Sequence, residues 1–266
     1  MCTPILLSVP TIIVGQSVLE AQPVVNASPV READIMWMKR IWRRIDLRQK
    51  INYPFYFPET PTQGRRSLFD YISAAAREGS VRVYNPGSLG IDDMFGAELS
   101  RSELEDVLVS IDSVPTIHLI TGQQTMVPYE DRVESNEIIQ YEIKEDWFFD
   151  KQRSVMEVRI VGICPIMLVK DPETDEFRGF KRLFWINYQE SRSEFAKWVC
   201  FNSKNDGAQL SFDDMLNKRI FESYIIKESN VYDRYLNEYL QGAEALIEAE
   251  EIERRFFEME HDLWSY

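Results

Sequence analysis

The sequence predicts an α+β fold, with an antiparallel β meander from the middle of the chain packed against N-terminal and long C-terminal helices. Three observations predict it. From about residue 34 apolar residues recur at three- and four-residue spacings. Between residues 136 and 188 three segments alternate in polarity or run β-branched, with polar turns between them. From about residue 230 to residue 259 a helical pattern continues with few breakers. Helices segregated from an antiparallel sheet are the layer solution that such an order supports.

Residues 1–30 carry Pro4, Pro10, Pro23 and Pro29 and no sustained period, and are read as a leader. Ile5 to Val18 is apolar and ends near Leu19-Glu20-Ala21 in the manner of a signal peptide. The positive flank of such a peptide is missing, however, and Pro10 and Gln16 interrupt the run. The domain is expected over residues 31–266. Its first helix is expected from Asp34, with Ile35, Met38, Ile41, Trp42 and Ile45 inward and Lys39, Arg40, Arg43 and Arg44 mostly on the other faces. Asn52-Tyr53-Pro54 ends it, because the residue before proline resists the α conformation.

A short helix follows over Ser67 to Arg77, capped by Ser67 and stopped by Gly79. Val81 to Tyr84 reads as a strand and Asn85-Pro86-Gly87 as a turn. Ser100 with Glu103 has the spacing of a capping box, which opens a helix over Arg101 to Leu108. Three strands then make the meander. In Asn136 to Trp147, Ile139, Tyr141 and Ile143 alternate with polar neighbours. In Val155 to Val169 one face is expected to hold Met156, Val158, Ile160, Gly162 and Cys164, with a bulge at Pro165. Phe180 to Tyr188 is the third. Helices are expected over Ser191 to Val199 and, capped by Ser211, over Phe212 to Phe221, with an extended stretch at Ser223 to Lys227. The terminal helix, Asn230 to Met259, would be about 45 Å long at 1.5 Å per residue, with Gly242 the natural place to bend it.

Composition bounds the function. A chain of 266 residues buries roughly three quarters of its unfolded surface. At 44% hydrophobic and 28% charged it has the apolar content of a globular protein. A net charge of −14 argues against nucleic acid as a partner, since phosphates demand clustered positive charge. Charge is also unevenly spread. Six basic residues lie between Lys39 and Lys50 against Asp46 alone, and eight acidic residues lie between Glu244 and Asp262 against Arg254 and Arg255. That asymmetry suits complementary docking, within one subunit or between neighbours. No segment approaches the roughly 18 apolar residues of a membrane span.

Catalytic chemistry finds little footing. His118 and Cys164 would make a nucleophile–base pair only if the fold joined them, and nothing around either residue supports it. Two histidines and three cysteines without paired spacing offer no zinc site, and no cofactor motif is present. Asp92-Asp93 and Asp213-Asp214 are the carboxylates that a hydrolase would use. Adjacent residues on one element point apart, and acids at Asp213 and Asp214 suit a helix start. The expectation is a non-catalytic protein, the alternative a periplasmic hydrolase using paired carboxylates.

Longer strings carry a resemblance. Ala33 to Asn52 (ADIMWMKRIWRRIDLRQKIN), Tyr141 to Ser154 (YEIKEDWFFDKQRS), Leu210 to Asp214 (LSFDD), Lys227 to Arg234 (KESNVYDR) and Glu260 to Trp264 (EHDLW) resemble, in order, the GldN/PorN family. The resemblance implies a periplasmic subunit, peripheral to the outer membrane, of the type IX secretion and gliding-motility machinery of Bacteroidetes-like bacteria. It implies a ring built with a GldK/PorK-like lipoprotein and contact with a GldM/PorM-like inner-membrane motor subunit, and it brings no catalytic motif. Copies joined head to tail close into a ring when the interface rotation permits. Contact residues are expected on the oppositely charged segments, at Lys39, Arg40, Arg43 and Arg44 and at Glu250, Glu251, Arg254 and Phe257.

Overall fold

The domain opens with a strand where the spacing of apolar residues predicts a helix. A computed structural model describes Val24 and residues 29–62, 65–88, 90–117, 124–171, 177–201 and 210–264. Its elements, in order, are β1 (Ile35–Asp46), α1 (Tyr53–Tyr56), α2 (Leu68–Glu78), β2 (Val83–Tyr84), α3 (Arg101–Leu108), β3 (Val109–Ile117), β4 (Gln124–Arg132), β5 (Ile138–Asp150) and β6 (Val155–Lys170). There follow β7 (Phe177–Arg182), β8 (Trp185–Asn187), α4 (Tyr188–Phe195), β9 (Val199–Cys200), β10 (Leu210–Ser211), α5 (Phe212–Asn217), β11 (Tyr224–Glu228) and α6 (Ala243–Trp264). The fold is α+β, with mid-chain antiparallel strands and a long C-terminal helix as expected; the N-terminal helix is replaced by β1.

The sheet explains why. Its order is β11-β1-β5-β6-β8-β2, with β7 also paired to β6, so from Ile41 onward β1 lies between two strands and is largely buried on both faces. A strand in that position shows no simple apolar–polar alternation, because its polar side chains are paired rather than solvated. The helical spacing of Met38, Ile41, Trp42 and Ile45 is a coincidence of that mixed pattern, and tertiary pairing decides between the two. On one face Ile45 joins Tyr141 and Ile143 of β5 and Ile163 of β6 in the main core, closed over by Phe55 of α1, Leu68, Phe69 and Ile72 of α2, Phe195 of α4, and Phe212 and Leu216 of α5. Further along the same face Ile41 and Ile225 receive α6 through Ala249, Ile252 and Phe256, with Trp37 and Trp147 alongside.

Two expectations about the middle strands change. The irregularity of β6 is at Val161, where Glu145 pairs with Ile160 but Lys144 with Gly162; Pro165 sits in regular register opposite Tyr141. The extra residue reverses the face of everything beyond it, so Ile160 and Ile163 join the main core while Cys164 joins Trp42, Tyr84 and Trp185 on the opposite side. The third strand breaks into β7 and β8 and ends at Asn187, since Tyr188 already begins α4.

The caps fall where expected. Ser67 Oγ accepts from the Asp70 amide, Ser211 Oγ from the Asp214 amide, and Ser100 with Glu103 forms the reciprocal box that opens α3. Gly79 closes α2 at φ 79°, a conformation that glycine adopts without a Cβ clash. At the C-terminus one long helix gives way to an irregular segment followed by α6. Asn230 is responsible: its Nδ2 donates to the carbonyls of Glu228 and Arg234, while its Oδ1 accepts from the amides of Tyr232 and Arg234. An asparagine side chain that occupies the backbone groups of its own loop competes directly with helix formation. Gly242, at φ 55°, precedes α6 instead of bending a longer helix. The paired strands β3 and β4 form a separate two-stranded sheet that the sequence pattern did not announce.

Candidate functional site

Charge is concentrated on the sheet face opposite the main core, and the register sets it out rung by rung. Arg40 is opposite Asp146, Trp42 opposite Lys144, and Arg44 opposite Glu142. Directly opposed unlike charges stabilise an antiparallel pair by roughly 0.2–1 kcal/mol each, and like charges would do the reverse. Arg40 grips Asp146 through two hydrogen bonds of 2.6 and 2.8 Å. That carboxylate holds the guanidinium pKa above its ordinary value, against the opposing effect of burial. Glu142 is fully buried and takes Arg182 from β7 at 2.7 Å and Arg44 at 3.3 Å, with the Tyr235 hydroxyl at 3.4 Å.

Trp42 lies at the centre of this face. The Lys227 ammonium rests 4.3 Å from its ring centroid and that of Lys144 5.7 Å away, while its indole N–H donates to Asp93 at 2.5 Å. Lys144 itself is only 2% exposed. Its ammonium donates to the Asp93 carbonyl at 2.8 Å and carboxylate at 3.1 Å, beneath the Phe95 ring. Burial pulls the Lys144 pKa down and the Asp93 charge partly restores it. Lys227, equally buried, reaches outward to Asp233 at 2.6 Å. Met38, Ile91, Asp92, Met94, Ser229 and Asp233 surround a cleft of about 600 Å³ above this floor.

The predicted contact residues divide. Lys39, Arg40, Arg43 and Arg44 belong to a strand and therefore alternate between faces, which no helical face would do. Lys39 is 3.6 Å from Glu228, and Arg43, buried, donates to the Ser223 hydroxyl and carbonyl and to Glu253 of α6. The acidic helix thus docks on the basic strand of its own chain. Glu250, Glu251, Arg254 and Phe257 fall on the outer side of α6 and are exposed, with Arg254 paired to Glu258 one turn on. Leu246 and Ile247 are exposed on the same helix.

The carboxylates weighed for hydrolysis have structural partners. Asp92 is exposed and accepts from the Met94 amide. Asp93 neutralises Lys144. Asp213 takes two Arg192 nitrogens, at 3.0 and 3.1 Å, and the Tyr188 hydroxyl at 2.5 Å, while the Asp214 carboxylate accepts from the Ser211 hydroxyl at the α5 cap and pairs with Lys218. Cys164 is buried, and burial pushes its thiol pKa far up, the opposite of an activated nucleophile. His118 lies outside the described residues. Among the described residues no group of three or more His, Cys, Asp or Glu is placed to hold a metal ion, and no helix is long and apolar enough to cross a membrane.

Sequence reasoning missed the lysines of this face. The signal was present: Glu142, Lys144 and Asp146 share one strand parity, and read antiparallel they complement Arg44, Trp42 and Arg40. Reading β1 as a helix hid that match.

The family model described as Gliding motility associated protein GldN matches residues 30–265. The comparison with curated proteins gave no match.

Proposed function

The chain belongs to the GldN family of gliding motility associated proteins, and from that premise we propose that it is a non-catalytic structural subunit of the type IX secretion and gliding machinery. In this reading it sits in the periplasm beneath the outer membrane, forms a ring with a GldK/PorK-like lipoprotein and contacts a GldM/PorM-like motor subunit. One observation supports it above the rest. The outer side of α6 presents Leu246, Ile247 and Phe257 to solvent among Glu250, Glu251 and Glu258. A helix already fixed to its sheet by Phe256 has no internal use for apolar residues on its far side, and exposed apolar groups rimmed by charge mark protein interfaces. The engagement of Asp93 and Asp213 with Lys144 and Arg192 leaves neither carboxylate in the role of a hydrolytic acid or base, which favours the scaffold over the enzyme.

The test uses the native mass of the chain with and without its lipoprotein partner. A stable complex of megadalton order, weakened when Glu250→Lys, Glu251→Lys and Phe257→Ala are combined, is the expected result. A chain whose mass is indifferent to the partner would overturn the proposal. Reversal of Arg43 is unsuited to this purpose, because its buried guanidinium holds α6 in place.

A further inference from the structure

Among the described residues the β3–β4 ribbon and the outer edge of β7 have no further strand beside them, and their chemistry matches. β3 and β4 pair with each other over nine residues each, from Val109 opposite Arg132 to Ile117 opposite Gln124. Among the described residues neither strand pairs with any other. The ribbon is about 30 Å long at roughly 3.4 Å per residue. It leaves the body where the Val133 amide donates to the Leu108 carbonyl, and from there Ser110, Tyr129, Glu130, Asp131 and Arg132 are already exposed. A two-stranded ribbon alone is marginally stable in water. Its sequence is also unlike the rest: residues 113–129 contain no Asp, Glu, Lys or Arg, in a chain 28% charged.

The second edge is β7. It pairs with Ile166–Lys170 of β6 on one side, and among the described residues no strand covers the other. Phe177 and Phe180 are both exposed on it and stack edge to face at 5.1 Å. Sheet proteins ordinarily block such an edge with charge, a bulge or a covering element. β7 has such a bulge at Arg178 and the charges of Arg178 and Lys181, yet it also leaves two aromatic rings exposed beside them.

We infer that the β3–β4 ribbon of one copy adds to the β7 edge of a second copy, continuing its sheet. Strand addition draws its affinity from main-chain hydrogen bonds and its specificity from side chains at alternate positions. The uncharged residues 113–117 and 124–129 of the ribbon meet Phe177 and Phe180, and the exposed Asp131 at its root matches Lys181, while Glu130 and Arg178 already pair with Arg132 and Asp171. Ribbon and edge are different surfaces of one chain, so the contact is head to tail: each copy gives a ribbon and receives one, and closure depends on the rotation between neighbours. This inference rests on the scaffold reading and names the copy-to-copy surface within it.

Complementation between two full-length variants tests it. In one, residues 112–129 are replaced by Asn-Gly, which retains the Ile111–Glu130 rung with a two-residue turn. The other carries Phe177→Asp and Phe180→Asp. Light scattering after gel filtration should show self-association of the unchanged chain, monomers for each variant alone, and a dimer in their equimolar mixture, since one intact ribbon then meets one intact edge. A mixture that stays monomeric, a ribbon-deleted chain that associates like the unchanged one, or an unchanged chain that is itself monomeric would each overturn the inference. Capture of both variants by the GldK/PorK-like lipoprotein is measured in parallel. Retained capture assigns a failure to the ribbon alone, and capture lost by the unchanged chain assigns it to the scaffold reading.

Discussion

Lys144 donates to both the main-chain carbonyl and the side-chain carboxylate of Asp93, so one residue of an irregular loop neutralises a buried charge in the middle of the sheet. Removing one partner of a buried pair strands the other, at a cost of about 3–5 kcal/mol, whereas replacing both with apolar groups is near neutral. Asp93→Ala should therefore lower stability by about that amount in urea titration, and Asp93→Ala with Lys144→Met should recover most of it. A single-variant loss below about 1 kcal/mol would show that the pair is solvated.

Adjacent residues of α6 should behave oppositely. Phe256 is buried against Trp37 and Trp147, at centroid distances of 5.5 Å from each, whereas Phe257 is 71% exposed. Phe256→Ala should cost about 3–5 kcal/mol as a core truncation. Phe257→Ala should stay within about 0.5 kcal/mol, as surface changes do, and weaken assembly instead. Equal losses at both sites would contradict the orientation of the helix.

Gly162 leaves room for the loop that carries Asp93. A Cβ there would stand 2.6 Å from Phe95 Cζ and 3.2 Å from Trp185 Cε3. Gly162→Ala should cost about 1–3 kcal/mol by overpacking. The cost should shrink in a Phe95→Leu background, because the two sites are coupled. Additive losses in the double-mutant cycle would argue against the contact.

The buried thiols set an alkaline limit. Burial pushes Cys200 up to about 12, from an ordinary value near 9, and Cys164 further still. A folded-state value above the unfolded one contributes stability that is complete below the unfolded pKa and is lost as pH rises toward the folded one. The urea midpoint should accordingly fall from about pH 9 upward, less steeply in Cys200→Ala. An unchanged slope in that variant would remove Cys200 as a cause. Neither thiol should react with iodoacetamide in the folded chain at pH 8.

Local chemistry was legible in the sequence wherever a few consecutive residues decide the outcome. Ser67, Ser100 with Glu103, Gly79 and Ser211 mark helix ends because capping is a matter of one side chain and the next three amides. Alternation at Tyr141 and Ile143 marks a strand whose two faces differ, although an irregularity before Gln140 puts Ile138 rather than Ile139 in the core beside them. The misread segments are those whose partners are distant. β1 looks helical until Asp146 and Glu142 are seen to face Arg40 and Arg44. The extra residue at Val161 is invisible without the opposite strand, and Asn230 breaks a helix through hydrogen bonds that periodicity does not weigh. The same limit hid the charged face, since a lysine at position 144 becomes meaningful only when Trp42 and Asp93 are placed beside it.

The position of β1 also has a kinetic consequence. The strand that opens the domain is held by Asp146, 106 residues downstream, and by Ser223, 180 residues downstream. Local contacts contribute little to that part of the sheet, and chains dominated by distant pairings fold slowly. During synthesis from the N-terminus, β1 has no complete set of neighbours until β11 has emerged, so its Ile41 and Trp42 are not fully covered until Lys227 and Glu228 have been made. The interval in which a chaperone or an export factor can hold the chain unfolded thus spans the synthesis of the 180 residues that lead from Arg43 to Ser223.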